Sequence, residues 1–187
     1  MATWFLVTQA RARVGVYPGS FNPPTIAHIE IAVTAREHHG LDRVDFAVST
    51  VTLGKEAVRR PSFAERIEVI EASVEPIDGL GFIVTDHQLI ADIASGYDVV
   101  VMGADKWAQV NDVEWYTDTA ARDAAIAALP TLALAARTGF EVPDAHALPV
   151  DPTLLEVSSS AVRAGRTEWM TTAARAYHDR HGTWGGR

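Results

Sequence analysis

The sequence predicts a doubly wound α/β fold: a parallel sheet with helices on both faces, followed by C-terminal helices. Three observations carry this expectation. Largely apolar runs recur at 14–17, 44–49, 98–103 and 131–135, with little alternation of polar and apolar residues. Strands of that kind are covered on both faces, as parallel strands are. Segments with helical spacing lie between them, and alternating strands and helices imply a parallel sheet wrapped by helices. Finally, 187 residues of which 48% are hydrophobic can bury a substantial core, so 1–187 reads as one domain.

The elements follow in order. The first strand, 14–17, runs into a turn of Gly, Asn and Pro and then a helix start at Thr25. Pro23 and Pro24 suit the turn and the first helical position, and Asn22 or Thr25 can cap. His38 and His39 stand at the end of this helix, where the dipole favours cations. A second strand spans 44–49. In the helix at 62–70, Arg66 is expected to make a structural ion pair. Residues 81–84 form a weak strand, 89–94 a short helix, and 98–103 a strong strand bounded by turn residues. An Ala-rich helix at 116–129 is ended by Pro130 and followed by a strand at 131–135; residues 146–149 could supply a last one. The tail from about 182 reads as loose.

Composition narrows the function. The chain has no cysteine, which excludes disulfides and thiolate chemistry and fits a reducing cytoplasm. A net charge of −8 argues against nucleic-acid binding, which needs a basic face. No apolar run approaches a membrane span. Residues 1–7 lack a basic start and do not read as a signal peptide; they read as an extra strand or a homo-oligomer contact. There is no P-loop and no serine-nucleophile elbow, and the histidines show no metal-ligand spacing.

The most informative segment is Gly19-Ser20-Phe21-Asn22-Pro23-Pro24-Thr25-Ile26-Ala27-His28. Three residues apart on a helix is about one turn, so Thr25 and His28 can face one ligand. A helix start also offers unpaired N–H groups and the positive end of the macrodipole, which suits a phosphate. A second helix start, Val157-Ser158-Ser159-Ser160-Ala161-Val162-Arg163, places three hydroxyls at a cap and one cation a turn inside. Arg163 can meet a triphosphate with a planar fork of donors. After the strong strand come Gly103-Ala104-Asp105 and then Trp115. Gly103 lets a ligand approach the backbone, Asp105 can accept from ribose hydroxyls, and Trp115 can stack on a flat ring or simply pack. Lys55 is one of only two lysines and follows the second strand, at the sheet edge where ligands bind in such folds. Arg59 and Arg60 are backup cations.

These motifs resemble the nucleotidylyltransferase superfamily, whose signature is Gly-x-Phe-x-Pro followed by (His/Thr)-x-x-His, with Ile-Ser-Ser-(Thr/Ser)-x-x-Arg near the end. Gly103, Asp105 and Trp115 are similar to the adenylyltransferases that make dinucleotides of the nicotinamide series. The resemblance implies a Rossmann-like fold and transfer of AMP from ATP to nicotinamide or nicotinate mononucleotide, with release of pyrophosphate. It implies Gly19, Ser20, Phe21, Thr25, His28, Gly103, Asp105, Ser158, Ser159, Ser160 and Arg163 at the nucleotide. Asn22, Lys55 and Trp115 fall to the acceptor, with His28, Thr25, Lys55 and Arg163 acting on the phosphates. Mg²⁺ is expected on the phosphate oxygens rather than in a protein cage. The Tyr-Thr-x-x-Thr-Leu segment of nicotinate enzymes is replaced by 85–92, Thr-Asp-His-Gln-Leu-Ile-Ala-Asp. With an acidic surface and no clear cation near Trp115, the reading leans to the nicotinamide form. Alternatives are phosphopantetheine with ATP, CTP with a phosphorylated alcohol, and a nucleotide-binding sensor without turnover.

Overall fold

The structure is a computed structural model and describes residues 11–50 and 61–184. Five strands, β1 (Val14–Pro18), β2 (Arg43–Ser49), β3 (Leu80–Thr85), β4 (Val99–Gly103) and β5 (Thr131–Ala135), pair in parallel in the order β3-β2-β1-β4-β5. The order reverses between β1 and β4, and the crevice at such a switch point is where doubly wound folds bind ligands. Every residue of β4 is buried, as its apolar sequence predicts for a strand covered on both faces.

Side chains alternate between two cores. Tyr17, Val44, Phe46, Val48, Val99 and Val101 face α1 (Ile26–His39) and α2 (Phe63–Val74), which contribute Ile31, Ala35, Ile70 and Val74. Val16, Ala47, Val100, Met102 and Leu134 face the other way. There they meet Ile93 of α3 (Ile90–Ile93) and Val110 of α4 (Ala104–Asn111), with Ile126 of α5 (Thr119–Ala127) packed alongside. The period of two along each strand therefore separates the helical layers. A third cluster joins Val69 of α2 to Val162 of α6 (Ser159–Arg163), to Ala174 and Tyr177 of α7 (Thr172–His181), and to Trp184.

Several expectations are corrected. Residues 146–149 form no strand: a 3-10 turn, Asp144–His146, is followed by an isolated bridge from Ala147 to Leu134. Pro143 and Pro149 flank this stretch, and neither can donate to a ladder. The Ala-rich helix begins at Thr119 rather than 116, because Asp118 accepts from the Ala121 N–H at 2.8 Å and sets the cap. Pro24 is not the first helical residue; Thr25 caps and Ile26 opens α1. Arg66 makes no ion pair among the described residues: its guanidinium lies 5.2 Å over the Phe63 ring, and its Nε is buried without a partner there. The tail is not loose as far as Trp184, which is 2% exposed behind the left-handed Gly182 that ends α7. Lys55, Arg59, Arg60 and residues 1–7 lie outside the described residues.

Candidate functional site

An open cleft of about 670 Å³ lies over the carboxyl ends of β1 and β4. Both helix-start motifs reach it. Gly19, Ser20, Phe21 and His28 line it from one side, Ser158, Ser159, Ser160 and Arg163 from another, and Gly103, Asp105 and Trp115 from a third.

The first motif is built by packing. Phe21 is 2% exposed, edge-on to Tyr17 at 5.3 Å and to His28 at 5.1 Å, and 4.7 Å from Phe46. Its φ of 42° lies in the left-handed region that few non-glycine residues adopt, and this aromatic nest holds it there. A Cβ at position 19 would come within 2.7 Å of the Phe21 ring, so only glycine lets the chain fold over it. Phe21 is thus chiefly the floor of the site.

Thr25 is fully buried and does not line the cleft. Its hydroxyl caps the His28 N–H at 3.4 Å, while its own N–H donates to His28 Nδ1 at 2.9 Å, the two halves of a capping box. An N–H can only donate, so Nδ1 is the acceptor and the proton of the neutral ring sits on Nε2. Burial, with the Arg137 guanidinium adding to it, holds the His28 pKa down at about 3. His28 is therefore a neutral, fixed N–H donor on the cleft wall, aimed by Thr25.

The second motif is tied to the first. Ser158 Oγ caps the Ala161 N–H at 3.1 Å, and Ser159 Oγ donates to the Pro23 carbonyl at 2.7 Å. Arg163 donates from Nη1 to the Asn22 carbonyl at 2.5 Å and from Nη2 to Ser160 Oγ at 2.9 Å. Asn22, expected at the acceptor, is instead a buried hub. It is 4% exposed and does not line the cleft, and its Oδ1 accepts from the indole N–H of Trp184 at 2.7 Å. The Asn22–Pro23 peptide is cis.

At the end of β4, a Cβ on Gly103 would run into the Asp105 carboxylate, so the missing side chain makes room for that group. Trp115, in a 3-10 turn after α4, is 43% exposed at the cleft, whereas Trp107 packs into the second core. Gln88, Leu89 and Ile90 bring the replaced pyridine segment to the same cleft.

One cation escaped the sequence reading. The Arg137 side chain, 13% exposed, stands 3.9 Å by Nε from Asp105 Oδ1 and donates to the carbonyls of Leu154 and Val157 at 3.3 and 3.1 Å. It also hydrogen-bonds Tyr17, whose hydroxyl burial pushes up to about 12, so the phenol stays protonated. Arg137 follows β5 by two residues, and a cation at a strand's carboxyl end was the signal available.

Known proteins share this architecture. A nicotinic acid mononucleotide adenylyltransferase of Plasmodium falciparum, solved in complex with NaAD, superposes with a TM-score of 0.65 at 11% identity, over 91% of this chain and 96% of that one. A "probable nicotinate-nucleotide adenylyltransferase" of Geobacter sp. (strain M21) is 40% identical over 76 residues, 41% of this chain and 34% of that protein. A phosphopantetheine adenylyltransferase of Sphingopyxis alaskensis is 36% identical over 95 residues, 49% of this chain and 52% of that protein. The chain thus spans about a third to a half of the length of these two relatives. A family model described as cytidylyltransferase-like matches residues 16–165, a span that takes in both helix-start motifs and the strands that carry them, and the chain belongs to that family.

Proposed function

We propose that this protein transfers AMP from ATP to a pyridine mononucleotide, forming a dinucleotide and releasing pyrophosphate. The observation that carries the reading is the convergence of His28, Arg163, Asp105 and Trp115, from three separate segments, on one cleft at the β1–β4 switch point. The nicotinate acid form is the first acceptor to try, since the Geobacter relative is named for it. The lean toward nicotinamide is withdrawn because Arg137 borders the cleft that Trp115 borders. Phosphopantetheine is the second reading, favoured by the Sphingopyxis relative.

In this reaction a phosphate oxygen of the acceptor forms a bond to the α-phosphorus of ATP. The bond from that phosphorus to the α,β-bridging oxygen breaks, and its electron pair leaves with pyrophosphate. A phosphate monoester, with a second pKa of about 6, is largely dianionic at neutral pH and needs no general base. The chain's work is alignment and donation to developing charge. His28 Nε2–H would serve the α-phosphate, and Arg163 with the first turn of α6 the β,γ-phosphates. Asp105 would accept from ribose hydroxyls, and Trp115 would stack on the acceptor ring. Lys55 remains the candidate for the acceptor phosphate. Thr25 acts by aiming His28, and Asn22 by holding the turn. Mg²⁺, bound through the triphosphate, would neutralise part of its charge. No described helix is long and apolar enough to cross a membrane.

The test is pyrophosphate release over a matrix of nucleoside triphosphates and phosphorylated acceptors. ATP with nicotinate mononucleotide should turn over. Trp115→Ala should raise KM for the mononucleotide roughly 5- to 150-fold, the equivalent of about 1–3 kcal/mol of ring stacking, with ATP binding unchanged. If neither pyridine mononucleotide reacts, the acceptor assignment fails.

A further inference from the structure

Asn22 lies at the turn between β1 and α1 and is held at both of its carbonyl groups. Its backbone oxygen accepts from Arg163 of the second motif, and its side-chain oxygen accepts from the Trp184 indole. An indole carries a single donor and no acceptor, so this bond is the only one its N–H can make. Trp184 is buried and 162 residues from Asn22 in sequence, and it is itself fixed from two sides. Its backbone N–H donates to His178 Nδ1 at 3.1 Å, and its ring packs 5.6 Å from Tyr177. Tyr177 in turn hydrogen-bonds Glu65, which closes the capping box of α2 with Ser62. Trp184, with Tyr177 and His178 of α7, thus links the turn that leads into Thr25 and His28 to the helix start of α2.

We propose that Trp184 is a positioning residue: through Asn22 it sets the turn that aims His28 at the reacting phosphate. Shape alone does not account for the arrangement. An aromatic ring of any kind would fill the space beside Tyr177, but only an N–H at that edge satisfies the buried amide oxygen of Asn22. Without it, the side-chain and Arg163 bonds described for Asn22 reduce, among the described residues, to the one from Arg163 to its backbone. The side chain of Asn22 can then turn, and His28, six residues on, loses a defined direction.

The test removes the N–H and keeps the ring. Trp184→Phe does so by mutation. Replacement of Trp184 by 3-benzothienylalanine, with sulfur where the N–H stood, does so without changing shape and covers the case in which Phe fails to fold. The first readout is the imidazole spectrum of His28 in the nucleotide-free protein, by long-range ¹H–¹⁵N correlation. The His28 signals should shift, broaden or split, while those of His38 and His39 at the far end of α1 stay in place. The second readout, which rests on the adenylyl-transfer reading, is kinetic. Here kcat should fall roughly three- to tenfold, the worth of one neutral hydrogen bond, with KM for ATP unchanged. In the Asn22→Ala background, removal of the N–H should cost no further kcat. Folded variants with an unaltered His28 spectrum would overturn the proposal and leave Trp184 as core filling. If the wild type turns over no substrate pair, the functional reading falls and the His28 spectrum alone decides the role of Trp184.

Discussion

The starts of α1 and α6 read alike in the sequence: each has a hydroxyl at the cap and a nitrogen-bearing side chain one turn inside. The fold uses them differently. At α1, a 14-residue helix packed against the sheet, Thr25 is fully buried and its hydroxyl and N–H are both spent on His28. The result is one neutral donor, fixed in direction. At α6, a helix of five residues, Ser159 and Arg163 reach across to the Pro23 and Asn22 carbonyls, and Ser158 only caps. There the motif braces its neighbour, while Arg163 has donors to spare, since a guanidinium carries five. Similar local sequences thus yield a donor set by burial in one place and a cationic strut in the other.

The largest effect should come from the fixed donor. His28→Ala should lower kcat roughly 10²–10³-fold, as for loss of one transition-state donor, with the circular dichroism spectrum retained. An unchanged kcat on any working substrate pair would remove His28 from the reaction and erase the contrast between the two starts.

Arg163→Ala should act on two quantities at once. Loss of bonds made by a charged group costs about 1.5–3 kcal/mol each. ATP affinity should therefore fall by at least tenfold, and Tm should drop because the Asn22 turn loses its brace. Calorimetry paired with a melting curve checks this; a lowered Tm with intact ATP affinity would make α6 a strut alone.

The two caps should then separate. Thr25→Ala and Ser158→Ala each remove an N-cap, worth about 0.5–2 kcal/mol, but only Thr25→Ala should also lower kcat, since the Thr25 hydroxyl also lies 2.9 Å from His28 Nδ1 and helps the backbone N–H aim the ring. Thr25→Ser should restore both stability and rate. Equal kinetic effects from the two alanine variants would show that aiming by Thr25 is not special.

The last effect is a slope with pH. The folded-state pKa of His28, about 3, lies below its ordinary value of 6.5, so between those values the unfolded chain binds the extra proton. Stability is thus full above pH 6.5 and declines as pH falls through that window. Glu65, held at about 2 by its bonds to Ser62 and Tyr177, adds a loss between 4.5 and 2. In Tm measured against pH, His28→Asn should flatten the upper window and Glu65→Gln the lower one. Nearly the same upper slope in His28→Asn as in wild type would show that the ring titrates freely.

What could be read from the chain was whatever a local pattern decides. The apolar strands and their spacing dictated a parallel sheet, and a cap such as Thr25 marked a helix start from a few adjacent residues. Gly19, His28, Gly103, Asp105, Trp115 and Arg163, assigned through their motifs and the resemblance these carry, all line the cleft. The rest depended on distance along the chain. Nothing local distinguishes Asn22 as a buried hub from Asn22 as a ligand contact. Its role is settled by Trp184 and Arg163, each more than a hundred residues away. Arg137 became a site residue only when β5 was laid beside β4 and its guanidinium was brought to Asp105. Thr25 likewise moved from candidate phosphate ligand to aiming device, since burial is a property of the packed layers. Sequence determines which groups can donate; packing decides which of them are spent on one another and which are left facing the cleft.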